Sequence, residues 1–107
     1  MSLEDQFAAV AANLLGRDAS VERGRMLHAP GLKTAGRFFA FATPSELFVK
    51  LPAPRVRELV ASNMGRACEI RRGAPMREWV RLAPANVDAF ASYVDEARDY
   101  VVSQQRR

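Results

Sequence analysis

Lys33-Thr34-Ala35-Gly36-Arg37-Phe38-Phe39-Ala40-Phe41, followed by Glu46-Leu47-Phe48-Val49-Lys50-Leu51-Pro52, decides the fold of this 107-residue chain. Two short apolar runs broken by Thr43-Pro44-Ser45 read as the antiparallel strands of a hairpin. Over residues 37–42, simple alternation places Phe39 and Phe41 on one face and Phe38 and Ala40 on the other. Over residues 47–51, Leu47, Val49 and Leu51 line one face while Phe48 and Lys50 line the other. Phe38 and Phe48 then share the second face, which predicts that part of it is also covered.

Outward from this hairpin, residues 23–29 read as a further strand of poor alternation, closed by a turn at Pro30-Gly31. Residues 68–71 and 77–82 read as two more strands, joined by Arg72-Gly73-Ala74-Pro75. Leu3, Phe7, Val10, Ala11 and Leu14 fall at helical spacing behind a capping Ser2 and the acidic Glu4 and Asp5, so a helix is predicted over 2–15 with Gly16 at its C-cap. A second helix starts near Pro54, carries Val56, Leu59, Val60 and Met64 on its apolar stripe, and stops at Gly65. The last runs from about residue 84 to 104, with Val87, Phe90, Ala91, Val94, Ala97 and Val101 on one side. The order α-βββ-α-ββ-α with short connections predicts an α+β two-layer sandwich: an antiparallel five-stranded sheet with the helices mainly on one face.

Length places the chain as a single domain, 1–107, able to bury roughly 65% of its unfolded surface without a metal or disulfide. The lone Cys68 forms no internal bridge, the start is acidic, and no apolar run approaches the ~20 residues of a membrane span. Cytoplasmic residence without membrane contact is the expectation. The net charge is +4 and the pI about 10.0, which suits a polyanion binder. All but Lys33 and Lys50 of the 16 basic residues are arginine, however, and a GC-rich coding bias produces the same composition.

The order Met26, Gly31-Leu32, Gly36-Arg37-Phe38-Phe39-Ala40, Leu47-Phe48-Val49-Lys50-Leu51 and Pro75-Met76 resembles the TfoX/Sxy N-terminal-domain family and its YjbR/MmcQ-like relatives, over residues 25–102. Positions 27–28 read Leu-His where family members often carry Phe-Gly. Competence regulators of that family have a second, C-terminal domain, so the expectation here is an N-terminal-type domain standing alone. The resemblance implies an α+β fold and a regulatory or interaction role, and it supplies no catalytic residues.

The residues themselves show no catalytic constellation. His28, the only histidine, has no nucleophile motif to serve and reads as a partly buried, hydrogen-bonded strand residue. Cys68, near Arg66, Arg71 and Arg72, reads as a small buried hydrophobe rather than an activated thiol. No CxxC or HxxxH spacing exists, so neither a metal nor a cofactor is expected. Asp88, Asp95, Glu96 and Asp99 read as a solvated helix face. The binding candidates are Arg71, Arg72, Arg77, Trp79 and Arg81, with Arg66 beside them: arginines around an indole suit a protein hot spot, or phosphate contact and base stacking, unless Trp79 packs under the last helix and the arginines only guard an edge strand. The expected function is a non-enzymatic interaction or regulatory domain with a protein partner, in its narrower form a transcription-linked adaptor. Direct nucleic-acid binding through the arginine-rich hairpin is the alternative, and exposed strand edges allow a homodimer.

Overall fold

The computed structural model of the chain describes residues 2–26, 28–71 and 74–105, with only the backbone of residues 70, 71, 74 and 75. Along the chain run α1 (Leu3–Arg17), β1 (Val21–Met26), β2 (Ala29–Thr34), β3 (Arg37–Ala42), β4 (Leu47–Lys50), α2 (Ala53–Ala61), β5 (Gly65–Arg71), β6 (Ala74–Leu82) and α3 (Val87–Gln105). The fold is α+β, with one open antiparallel sheet of six strands in the order β1-β2-β3-β4-β6-β5.

The sixth strand comes from the segment expected to hold one strand and a turn. Pro30 and Gly31 lie inside β2, opposite Arg25 and Gly24 of β1. Proline is tolerated there because pairing of β2 with β3 begins only at Gly31, so Pro30 has a single strand neighbour. Hydrophobic alternation is weak in β1 because it is an edge strand, its Glu22, Arg23 and Arg25 exposed. The β2–β3 turn is Ala35-Gly36, both at positive φ (50° and 79°), the backbone of a tight two-residue hairpin.

A β-bulge overturns the predicted facing of β3. Leu32 pairs with Ala40 but Lys33 pairs with Phe38, leaving Phe39 as the extra residue. Phe39 and Ala40 are therefore both fully buried, while Phe38 and Phe41 turn to the opposite side. In β4 the faces fall as expected, with Leu47 and Val49 buried and Phe48 on the other side.

All three described helices cover one face of the sheet. Phe7, Val10, Ala11 and Leu14 of α1, Val56 and Leu59 of α2, and Phe90, Val94, Ala97 and Val101 of α3 form one core with Leu32, Phe39, Leu47, Val49, Val80 and Leu82. Each valine, leucine or phenylalanine among them contributes about 1.5–3 kcal/mol on burial. The helix ends differ from expectation for local reasons. The backbone N–H of Asp5 donates to the Ser2 hydroxyl at 3.0 Å. At the other end α1 runs through Gly16 to Arg17, whose guanidinium reaches Asn13 at 2.9 Å and Asp95 of α3 at 2.8 Å. α2 closes before Gly65: Asn63 takes φ 62°, Met64 N–H donates to Leu59 O at 2.9 Å and Asn63 N–H to Val60 O at 3.2 Å, the paired bonds of a Schellman cap. Met64 thus lies beyond the helix and is 58% exposed, and Val60 also leaves the core. α3 starts at Val87, capped by Asn86, whose side-chain oxygen accepts from Ala89 N–H at 2.8 Å.

Candidate interaction face

With the helices on one side, the sheet's other side carries the side chains that distinguish this molecule. One cross-strand row traverses all six strands: Gly24 opposite Gly31, then Phe41, Phe48, Arg81 and Arg66. Phe41 and Phe48 stack at 4.5 Å with their planes 9° apart. Trp79, opposite Lys50 on β4, leans across to Phe41 at 5.5 Å and 48°. The Phe38 ring lies over the two glycines; a Cβ on Gly24 would come within 2.8 Å of it, and one on Gly31 within 3.1 Å. Lys33 places its ammonium 5.8 Å from the centre of the Phe38 ring. The result is a half-buried aromatic centre edged by Lys33 on one flank and by Arg81 and Arg66 on the other, with Lys50 beside Trp79 but its ammonium 4.0 Å from the Glu78 carboxylate.

The structure separates the residues grouped by sequence. Trp79 sits on this face, so it does not pack under the last helix. Arg81 borders the face but is tied down: Nε donates to Ala67 O at 3.1 Å and Nη1 lies 3.4 Å from a Glu46 carboxylate oxygen. The sheet explains the first bond, because the register breaks between Ala67 and Glu69 and Arg81 satisfies a carbonyl at that break. Met76 to Trp79 stand opposite Cys68 alone in this irregularity. Arg77 is exposed and lines a groove of about 410 Å³ beside Val56, Arg57, Val60 and Met76 of the helical side. It does not join the aromatic face. Arg72 and the side chain of Arg71 lie outside the described residues.

Phe38, Phe41 and Phe48 belong to the face although none was singled out as a binding candidate. Their signal was present in the excess of aromatics over what one buried face of two short strands can hold. The bulge that sorts them left no mark in the sequence.

His28 is exposed at the β1–β2 turn with φ 73°. Cys68 is 8% exposed, its sulfur 4.0 Å from that of Met76. Burial pushes its thiol pKa up, against a downward pull from Arg81 and a smaller upward push from Glu46, which favours the unreactive protonated form. Among the described residues no three of His, Cys, Asp and Glu converge as a metal site would require. Asp95, Glu96 and Asp99 are ion-paired, with Arg17, Arg55 and Arg98 respectively, rather than simply solvated. No described helix is long and apolar enough to cross a membrane. No family model, curated protein or solved structure matches the chain.

Proposed function

We propose that the protein is a non-enzymatic cytoplasmic interaction domain that docks a protein partner on the side of its sheet away from the helices. The observation carrying this reading is the aromatic cluster of Phe38, Phe41, Phe48 and Trp79 edged by Lys33 and Lys50. An apolar, aromatic centre with a charged rim is the composition of a protein hot spot. Positive charge at that rim selects a partner with an apolar centre and acidic surroundings, and speeds their encounter.

The ring geometry favours protein over nucleic acid. Base-stacking sheets present aromatic faces to the ligand. Here Phe41 and Phe48 each give one face to the other, and Lys33 stands over Phe38, so one face of each of these three rings is already engaged. The resemblance to TfoX N-terminal domains supports a regulatory partner, and the adaptor role in transcription is the narrower form of this proposal.

The test is affinity capture from the source organism's lysate, with and without nuclease, using the parent protein, a Lys33→Glu/Lys50→Glu variant and an Arg57→Glu control on the helical side. A protein retained after nuclease, lost from the double variant and kept by the control is the expected result. Equal capture by all three overturns the assignment of this face. Binding abolished by nuclease transfers the function to nucleic acid, and salt dependence then follows the phosphate contacts.

A further inference from the structure

A second site lies at the end of the sheet, where β5 begins and β6 ends. There a cleft of about 610 Å³ opens between Arg66 and Arg81 of the sheet, Glu46 before β4, Met64 after α2, and Ala89 and Tyr93 of α3. Its size falls within the roughly 300–1,000 Å³ of small-molecule sites. We propose that this cleft binds a small organic carboxylate, the acid group held by Arg66 with Arg81 behind it and the apolar body lying against Met64, Ala89 and Tyr93.

Three observations lead there. Arg66 and Arg81 are directly opposite each other across the β5–β6 ladder, an arrangement of like charges that costs stability unless an anion offsets it. Only part of that offset is internal. Arg81 is engaged by Glu46 and by Ala67 O, while Arg66 is exposed. Two guanidinium charges less one carboxylate leave a single positive charge, which matches a monoanion and not a phosphate dianion. A guanidinium fork also fits a carboxylate through two parallel hydrogen bonds. Finally, Met64 is 58% exposed beside these polar groups, although every other apolar side chain of its size nearby is at least half-buried. It gives the cleft an apolar wall next to its cationic floor, the combination that orients a ligand with one charged end.

This site adjoins the aromatic face through Arg66 and Arg81 but uses neither Lys33 nor Lys50, so the two are tested separately. The test is titration of the isotopically labelled full chain with benzoate, with its neutral isostere benzamide, and with inorganic phosphate, followed by backbone amide NMR. Expected are saturable benzoate shifts confined to residues 63–66, 81–85 and 89–93, no saturation with benzamide, and affinity reduced roughly tenfold or more in Arg66→Gln. Arg66 is exposed, so this variant keeps the fold; Met64→Glu, which adds a repelling carboxylate at the opposite wall, should weaken benzoate comparably. Equal binding of benzamide, shifts located elsewhere, no saturable benzoate shift, or unchanged affinity in Arg66→Gln would each overturn the proposal. Phosphate binding tighter than benzoate and dependent on Arg66 would overturn the carboxylate assignment in favour of a phosphate ester.

Discussion

Gly24 and Gly31 face each other beneath the Phe38 ring, yet they differ in what a methyl group would meet. At Gly31 a Cβ comes within 3.0 Å of Ala40 O, a backbone atom fixed by the ladder, as well as 3.1 Å of the ring. At Gly24 the nearest contact, 2.8 Å, is the far end of the Phe38 ring, which can swing. Replacing a strand glycine by alanine otherwise gains about 0.5–1 kcal/mol from a stiffer unfolded chain. Gly31→Ala should therefore lose stability, by about 1–3 kcal/mol as overpacked sites do, while Gly24→Ala should stay near neutral. Urea unfolding of the two variants gives the ordering, and equal losses would mean that Phe38 does not lie as described. Ala35 presents the reverse case. It holds φ 50° in the β2–β3 turn, a region that costs an alanine about 1 kcal/mol and asparagine less. Ala35→Asn should thus stabilise the protein by about 0.5–1 kcal/mol, raising Tm by roughly 2–6 °C; no rise would exclude a left-handed Ala35.

Between elements, the α1–β1 junction is fastened to α3 by Asp18. Its carboxylate accepts from Ser20 N–H at 2.9 Å and from the Ser20 hydroxyl at 2.7 Å, and meets Arg98 of α3 at 2.7 Å. These bonds, Ser20 first and Arg98 next, hold the Asp18 pKa at about 2 against an ordinary 3.8. A folded pKa below the unfolded one means that this stabilisation is complete above about pH 4 and disappears as pH falls through about 2. Asp18→Asn should therefore be less stable than the parent at neutral pH, the gap closing across that acid window. A constant gap from neutral pH down to pH 2 would show that the carboxylate charge is not what fastens the junction. Such junctions are long-range, Arg98 being distant in sequence from Asp18, and nothing in either residue's local context announces them. What was legible was local: the helices of α1 and α3 from their apolar spacing, and β3 and β4 from dense alternation and turn residues. The bulge at Phe39 was not, because an inserted residue changes facing without changing composition. Pro30-Gly31 misled for a related reason, since turn chemistry inside a strand is permitted where one side lacks a neighbour. The candidate residues were scattered for the same reason: Trp79 and Arg81 lie on the sheet face away from the helices, Arg77 was grouped with them across an irregularity that sequence cannot show, and Phe41 was assigned to the wrong face.

At the scale of the whole molecule, an open sheet leaves two edges, β1 and β5, and the β1 edge is guarded by its own charge pattern. Two copies joining antiparallel through β1 are related by a twofold axis perpendicular to the sheet, which keeps like faces together. Residues opposite one another must then share parity, so only every second register is open to them. Among these, the four centred within residues 22–25 place Glu22 opposite Glu22 of the other copy, Arg23 opposite Arg23, Arg23 opposite Arg25 twice, or Arg25 opposite Arg25, and only the two at the strand ends, centred on Val21 and Met26, escape. All three side chains are exposed, and like charges directly opposite destabilise a sheet pair. Each register that overlaps most of the strand is therefore repelled, without proline or a bulge in β1, and the edge resists the self-pairing that threatens open sheets. Electrostatics rather than shape is thus what opposes a homodimer through β1 in these registers. Removing both arginines, as Arg23→Thr/Arg25→Thr, leaves a neutral β-branched strand edge in the Arg23-to-Arg25 register and should produce concentration-dependent association in sedimentation velocity at low salt. The parent should show none through this edge, and high salt, which screens the repulsion, should move the parent toward the variant. If the double variant remains as monodisperse as the parent at every concentration and ionic strength, the charges are not what protects the edge.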